Sequence, residues 1–473
     1  RRVESPSMLR RSLALLAIAW VSPLVAQQPV SPWIAPLDPA GTGGVRVVDR
    51  ALAKLSTHQR LLIIGAHPDD EDTTLLALVG TGLGGEAAYL SLSRGEGGQN
   101  LIGPELGLGL GLIRTGELLA ARRIEGTRQY FTRGYDFGYT RSLEETFERW
   151  PKEVLLEDAV RAVRRFKPQV IVAIFPGDGR AGHGQHQAAG VIAEALFHSS
   201  GLPDRFPTLT DSGLLPWQPK GLYRRVWRNR ENATLEFALG RVDSLTGKSV
   251  LQLAGASRSM HRSQDMGTLQ NLGQRRGGLI WVAGEASREA DAVFGGIDTE
   301  LTALADLAPE GPLRDQIRLQ LDEIAVLAKQ SRQGLSPVSL SGQVPALARI
   351  VVGLGELLKD IANSDDEVVR ISLKDLLREK HQIASTALAA AAGVAVDAVA
   401  DQEAIVLGSS FPVTATLWNS GEEEIQVQKV EMACRQGWQT SSEGKIEIEQ
   451  DSGLKRWSFE VSALTGASPS GPY

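Results

Sequence analysis

Cysteine is nearly absent. The 473 residues contain one, Cys434, which excludes an intramolecular disulfide framework and any zinc finger built on thiolates. A metal held by this chain must be held by histidine and carboxylate. An excess of basic charge is missing as well. Lys+Arg number 50 against Asp+Glu 56, the formal charge is −6 and the pI is near 5.8. With aromatics at 5%, no Lys/Arg stripe interleaved with aromatic residues offers a footprint for nucleic acid, and no nucleic-acid partner is expected. A mean hydropathy of −0.11 argues against a multispanning membrane protein, and 42% hydrophobic with 22% charged residues argues against wholesale disorder. Neither a G-x-S-x-G elbow nor an H-E-x-x-H helix is present, so serine-hydrolase and zincin readings have no motif. Gly80 to Gly85 spell G-x-G-x-x-G, but they follow a predicted helix and precede a predicted strand, the reverse of the dinucleotide fingerprint.

The first segment reads as an address. Met8 is followed by Arg10 and Arg11, the apolar run LALLAIAWV and then SPLVAQQ, the three-part form of a secretory signal peptide with cleavage expected after Ala26. The run is short for a membrane span, which needs about 20 apolar residues, so no transmembrane segment is expected after cleavage. Removing residues 1–26 takes away four Arg and one Glu, lowering the formal charge from −6 to −9. An acidic, exported protein is expected, periplasmic or extracellular.

At roughly 100–200 residues per domain the length suggests two or three domains. From about Leu61 to Val282, short apolar runs alternate with helical stretches, the pattern of a parallel α/β sheet. Predicted strands are LLIIGA (61–66), AAYLSL (87–92), a run near QYFT (129–132), QVIVAIF (169–175) and GLIWVA (278–283). Predicted helices run from Glu71 to Val79, Ile113 to Glu125, Val154 to Phe166, Gln187 to His198 and Leu251 to Met260. Residues 286–400 change to Leu/Ala/Glu/Lys/Arg segments with helical periodicity, an antiparallel helical module. Residues 401–473 alternate in short runs between Gly/Ser/Asn turns, a β-sandwich-like domain with few strands for a complete one.

The chemistry concentrates after two predicted strands. AHPDDE (66–71) follows LLIIG, and ligands of open α/β sheets sit beyond the carboxyl ends of strands. His67 offers an imidazole and the Asp pair hard oxygen, a set suited to zinc. Taken alone, Asp69 or Asp70 could equally cap the following helix. The second cluster, QVIVAIFPGDGRAGHGQHQ, sets His183 and His186 three residues apart at a helix start, so that both can face one point. Two imidazoles and one carboxylate, here His67, Asp70 and His186, leave a coordination position open, as catalytic zinc requires. Iron, manganese or cobalt would accept the same donors.

With AHPDDE (66–71), SRGEGGQN (93–100), IRTGELLAA (113–121), GHGQHQ (182–187) and HRSQ (261–264) in that order, the sequence resembles the PIG-L/LmbE-like metal-dependent deacetylases, which remove acetyl groups from N-acetylglucosaminyl compounds. The resemblance covers about Leu61 to Asp265 and implies a Rossmann-like fold for a catalytic domain over 45–285. It implies that His67, Asp70 and His186 bind zinc, that Asp69 is the general base, and that His183 stabilises the oxyanion or protonates the amine. Gln185 stands where many members have Asp, which questions the orienting role of that Asp. By resemblance the loop with Arg94, Glu96 and Asn100 lines the substrate cleft, Arg94 being able to clamp a hydroxyl or an anion. Arg114 and Glu117 read as a structural pair on one helix face, and His261 as a packed residue behind the site.

The expected activity is removal of acetate from an acetamido sugar or glycoconjugate by a zinc-activated water. Two alternatives stand beside it: hydrolysis of a larger sugar-conjugate amide by the same apparatus, and a secreted carbohydrate-binding protein without turnover. The sequence sets no oligomeric state.

Overall fold

The computed structural model describes residues 43–467, apart from 227–229, 268, 271, 287–291, 403, 423, 435–436, 441–444 and 449–452. The signal-like segment 1–26 lies outside the described residues. Eleven α-helices occur among them: α1 (Gly44–Lys54), α2 (Thr73–Ala77), α3 (Leu108–Glu125), α4 (Leu143–Arg149), α5 (Lys152–Phe166), α6 (Gly184–Ser199), α7 (Pro207–Asp211), α8 (Val250–Arg258), α9 (Pro312–Gln333), α10 (Val344–Ala362) and α11 (Glu367–Ala391).

The apolar runs of the first half become strands buried on both faces. β1 (Arg60–Gly65), β2 (Glu86–Ser91), β3 (Arg128–Phe131), β4 (Val170–Ala173), β5 (Gly221–Arg225), β6 (Leu235–Ala238) and β7 (Arg276–Gly284) form one sheet in the order β3-β2-β1-β4-β5-β7-β6. Side chains alternate between its faces. Leu62, Ile64, Leu90 and Ile171 meet Val160 and Val163 of α5 and Ile192 and Leu196 of α6, whereas Leu61, Ile63, Tyr89 and Val172 meet Leu75 of α2, Leu118 of α3 and Leu253 of α8. Leu61 to Ile64 are at most 1% exposed, each contributing roughly 1.5–3 kcal/mol relative to exposure. β1 is therefore a firm base for whatever follows it.

The expected all-parallel sheet needs correction. β1 to β5 pair in parallel, but β7 runs antiparallel to both β5 and β6. β5 (GLYRR) and β6 (LEFA) are broken by charged residues and offer no continuous apolar run to register. The parallel order reverses direction between β1 and β4, and a crevice opens at such a switch point beyond the carboxyl ends of the strands. The loops after β1 and β4 are the two that carry the histidine motifs.

Helices α9 to α11 bury stripes spaced three and four residues apart, such as Ile317, Leu321, Ile324 and Ala328 in α9, as their periodicity predicts. Val48, Leu52 and Leu55, on and just after α1, join the same cluster. The strands β8 (Val394–Ala400), β9 (Ser410–Asn419), β10 (Trp438–Thr440), β11 (Lys445–Ile448) and β12 (Leu454–Ala463) form one antiparallel sheet. Among the described residues it is a single sheet and not the expected sandwich. Its alternating inner residues Phe411, Val413, Ala415, Leu417, Phe459 and Val461 enter the cluster that the helices build.

This second half docks on the amino ends of the first sheet, away from the crevice. Arg60 Nη1 lies 3.2 Å from Glu379 of α11, Lys54 lies 2.8 Å from Glu86, and Arg128 pairs with both Glu86 and Glu379. Lys380 Nζ donates to the carbonyls of Lys54 and Thr57 at 2.5 and 2.8 Å.

Candidate metal centre and active site

β1 ends at Gly65, where a Cβ would lie 2.9 Å from Cβ of Asp70. Glycine lets the following loop fold back on the strand. The amides of Ala66 and His67 donate to Asp70 Oδ2 at 2.9 and 2.7 Å, and Tyr89 Oη donates to the His67 carbonyl at 2.6 Å. Asp72, and neither Asp69 nor Asp70, caps α2 by accepting from the amides of Thr74 and Leu75. The capping alternative for the Asp pair is thereby answered: the helix has its own cap, and neither carboxylate of the pair serves it.

The loop after β4 brings the second set. His183 is the residue before α6, and Gly184 behind it touches Ser142, Thr140 and Thr146 so closely that no Cβ fits. One nitrogen each of His67, His183 and His186 lies within 4.8 Å of the others. Asp70 Oδ2 is 3.4 Å from His67 Nδ1, and Asp70 Oδ1 is 3.3 Å from His186 Nε2. A tetrahedral ion with ~2.0–2.1 Å bonds sets its ligand atoms roughly 3.3–3.5 Å apart; the two Asp70 separations lie in that range but on different oxygens, and the three imidazoles are themselves close enough to share one cation. His186 Nδ1 is 3.2 Å from the Ala181 carbonyl, which makes Nδ1 the protonated nitrogen and leaves the Nε2 lone pair for a ligand. Phe175 stacks on the His186 ring at 3.8 Å.

The charges are strongly coupled. Burial by itself would raise the Asp70 carboxyl, but His186 and His67 outweigh it and hold the group well below the carboxylate range. Burial favours a neutral His67, yet Asp70, Asp136 and Asp69 raise it. The Asp69 carboxyl is pushed up to about 6 by burial, with Asp70 adding to the push while Arg114 and His67 oppose it. Burial, then His186 and His67, lower His183 to about 4, so its ring is neutral near pH 7.

A match to the PIG-L model, described as GlcNAc-PI de-N-acetylase, spans residues 62–197. A 1D-myo-inositol 2-acetamido-2-deoxy-alpha-D-glucopyranoside deacetylase of Rhodococcus opacus (strain B4) is 30% identical over 207 residues, which cover 40% of this chain and 68% of that protein. The chain belongs to the PIG-L family. An enzyme of the same name from Corynebacterium urealyticum is 33% identical over 171 residues, 31% of this chain and 50% of its own length. The chain thus spans between half and about two thirds of these relatives. Among solved structures, the N,N'-diacetylchitobiose deacetylase from Pyrococcus horikoshii aligns at 21% identity with a TM-score of 0.33, covering 44% of this chain and 71% of its own.

Within this PIG-L domain the structure gathers His67, Asp69, Asp70, His183 and His186, and spreads the other candidates. Glu96 is buried, and one of its oxygens, Oε2, accepts from the amides of Arg94 and Asp136 at 3.2 and 3.1 Å. Arg94 lies 4.1 Å over the Phe131 ring and donates to Thr115 at 3.2 Å. Asn100 donates to the carbonyl and carboxylate of Glu105 at 3.2 and 3.1 Å. Gln185 takes up the orienting role in doubt: its Oε1 is 2.9 Å from His183 Nδ1, and its amide donates to the Gly138 carbonyl.

The reading of Arg114 and Glu117 as a mutual pair is corrected. Arg114, 3% exposed, reaches 3.1 Å from Asp69 and donates to the Pro68 and Gly95 carbonyls, while Glu117 accepts from the amide and hydroxyl of Ser263. Helical spacing places both on one face but says nothing of the loop that comes down on it. His261 is fully buried, with Nε2 2.6 Å from Glu71 Oε1. Residues missed in the sequence are Asp136, whose Oδ2 is 3.8 Å from His67 Nε2, and Glu71, Arg122 and Arg258. Asp136 had a signal, an acid just after the third predicted strand, and Glu71 had one as the last residue of AHPDDE; Arg122 and Arg258 had none that short-range pattern could carry.

Proposed function

We propose that this protein is a metal-dependent N-deacetylase that removes the acetyl group from an N-acetylglucosamine-type sugar or its conjugate. The observation that carries the reading is one carboxylate, Asp70, at 3.3 and 3.4 Å from two imidazoles contributed by loops of adjacent parallel strands, with the second carboxylate of Asp69 next in the chain. Membership of the PIG-L family and the names of its relatives supply the substrate class. A zinc ion or similar divalent cation held by His67, Asp70 and His186 would supply acidity to water and polarise the acetamide carbonyl.

The remaining chemistry belongs to the chain. Asp69, with its carboxyl near 6, is ionised at pH 7 yet basic enough to take the proton of the attacking water, a step worth about 10²–10⁴-fold. His183 keeps its Nδ1 proton on Gln185, so Nε2 is the nitrogen that can exchange a proton with the reaction. Being neutral at rest, it acts as a relay that picks up a proton and passes it to the departing amine. A carbohydrate-binding protein without turnover has no use for Asp69 held in strained backbone at φ 110°, which favours the enzyme. We also read residues 1–26 as an export signal, residues 45–285 as the catalytic domain, and Arg94 and Asn100 as part of the cleft wall.

The test is a screen of acetylated amino sugars and their conjugates with metal-reconstituted protein. Release of acetate with one free amine per turnover supports the reading, and a larger acid would point to the broader amidase. Glycan binding at full metal occupancy with no amine released would refute both.

A further inference from the structure

Asp69 is one of four non-glycine residues with positive φ among the described residues, and at 110° it lies farthest from the small left-handed region that such residues tolerate. Both peptide groups of the residue are pinned. Its amide donates to Glu71 Oε2 at 3.0 Å, and its carbonyl accepts from the guanidinium of Arg258 at the end of α8. Glu71 is itself enclosed and held at its other oxygen, Oε1, by His261 Nε2 at 2.6 Å and Arg122 Nη2 at 3.1 Å. Groups from α3, from α8 and from the turn after α8 therefore converge on one residue of the loop after β1.

His261 is not placed as stability alone would place it. A carboxylate can only accept, so Nε2 carries the proton facing Glu71. The other ring nitrogen, Nδ1, is buried without a hydrogen-bond partner among the described residues. Leaving a buried polar nitrogen unpaired is unfavourable, and the polar contact that the ring makes among the described residues leads to Glu71 and through it to the Asp69 amide.

We propose that Glu71, fixed by His261 and Arg122, together with Arg258, forms a clamp of positioning residues that holds Asp69 in its strained conformation, so that its carboxylate, turned toward Arg114, is aimed at the reacting water. This rests on the reading of Asp69 as the base. The clamp touches no substrate; it acts through the backbone of its neighbour. A misplacement of about 1 Å at a reacting group can cost ~10²-fold in rate.

The experiment compares His261→Ala, His261→Gln and Arg258→Met with the parent, using metal-loaded full-length protein. It measures kcat, KM, bound metal and deuterium exchange at the Asp69 amide. His261→Ala is expected to lose ~10–10²-fold in kcat, with KM within about twofold, metal content unchanged and the Asp69 amide newly exchanging. His261→Gln, whose amide can again donate to Glu71, is expected to recover most of kcat and the protection. Arg258→Met removes the second pin from a less enclosed position and keeps the test open should His261→Ala fail to fold. Unchanged kcat in His261→Ala and Arg258→Met, or a loss carried by KM or by metal content, overturns the clamp. Should the parent itself release no amine from any acetamido sugar, the base reading fails, and exchange at the Asp69 amide still decides: protection that persists in both variants refutes the clamp.

Discussion

Replacing Asp69 with Asn separates chemistry from architecture. The amide has the shape of the carboxylate, can accept from Arg114 as Asp69 does at 3.1 Å, and is among the few side chains that tolerate positive φ. It cannot take a proton from water. Loss of a general base costs about 10²–10⁴-fold, or about 2.7–5.5 kcal/mol in the barrier, with metal content preserved because the carboxylate between the imidazoles is Asp70. Stability should move the other way. The Asp69 carboxyl rises from its ordinary 3.8 to about 6 in the folded chain, burial being the largest cause. Between those values the native state binds more protons than the unfolded one, so stability falls as pH rises from about 4 to 6, on the order of 3 kcal/mol at most. The Asn variant escapes this loss. In chelator-treated protein, denaturant melts at pH 4 and pH 7.5 should show the variant gaining on the parent at the higher pH, while amine release by the metal-loaded form falls at least ~100-fold. Parent-like turnover would refute the base assignment, and a variant that is less stable at pH 7.5 than at pH 4 relative to the parent would refute the electrostatics.

Glu379→Ala removes the acid between Arg60 and Arg128. It should cost roughly 2–4 kcal/mol, less than a fully buried pair because Arg128 and Glu379 retain some exposure, and the folded fraction should keep the parent's kcat because the cluster lies at the amino ends of the strands. Lys54, Arg128 and Arg60 outweigh burial to hold Glu86 well below its ordinary 4.5, and Arg128 and Arg60 likewise outweigh burial to lower Glu379. Their stabilisation is whole above about pH 4.5 and is lost as pH falls through the lowered values, so thermal melts from pH 7 to 3 should decline below about 4.5, and less steeply in Glu379→Ala. Gly184→Ala forces a Cβ into Ser142, Thr140 and Thr146 and should displace the start of α6, lowering both stability and metal content. Gln185→Leu frees His183 Nδ1 and should reduce kcat by ~10-fold or more with metal content intact.

The parts legible in the sequence were those with short-range signals. Runs such as LLIIGA and QVIVAIF became β1 and β4 because strands buried on both faces must be apolar throughout, and the stripes of α9 to α11 followed their period. The short strands β5 and β6 and the antiparallel course of β7 were invisible, since direction in a sheet is fixed by pairing and not by composition. AHPDDE and GHGQHQ gave the histidines and the Asp pair, because each motif sits where a strand ends. What surrounds them did not show. Arg114 on Asp69, and His261 on Glu71 across 190 residues of chain, are long-range contacts that no periodicity encodes. Nor was it legible that Glu96, an acid in a Gly-rich loop, accepts at Oε2 from the amides of Arg94 and Asp136.

The central claim is that one ion is held between the loops after β1 and β4 by His67, Asp70 and His186. Metal content by elemental mass spectrometry, with X-ray absorption at the metal edge, tests it most directly on the parent and on His67→Ala and His186→Ala. The account predicts one ion per chain in the parent, with nitrogen and oxygen neighbours near 2.0–2.1 Å, and near-complete loss in either variant that remains folded. A full complement of metal in folded His67→Ala or His186→Ala would contradict it.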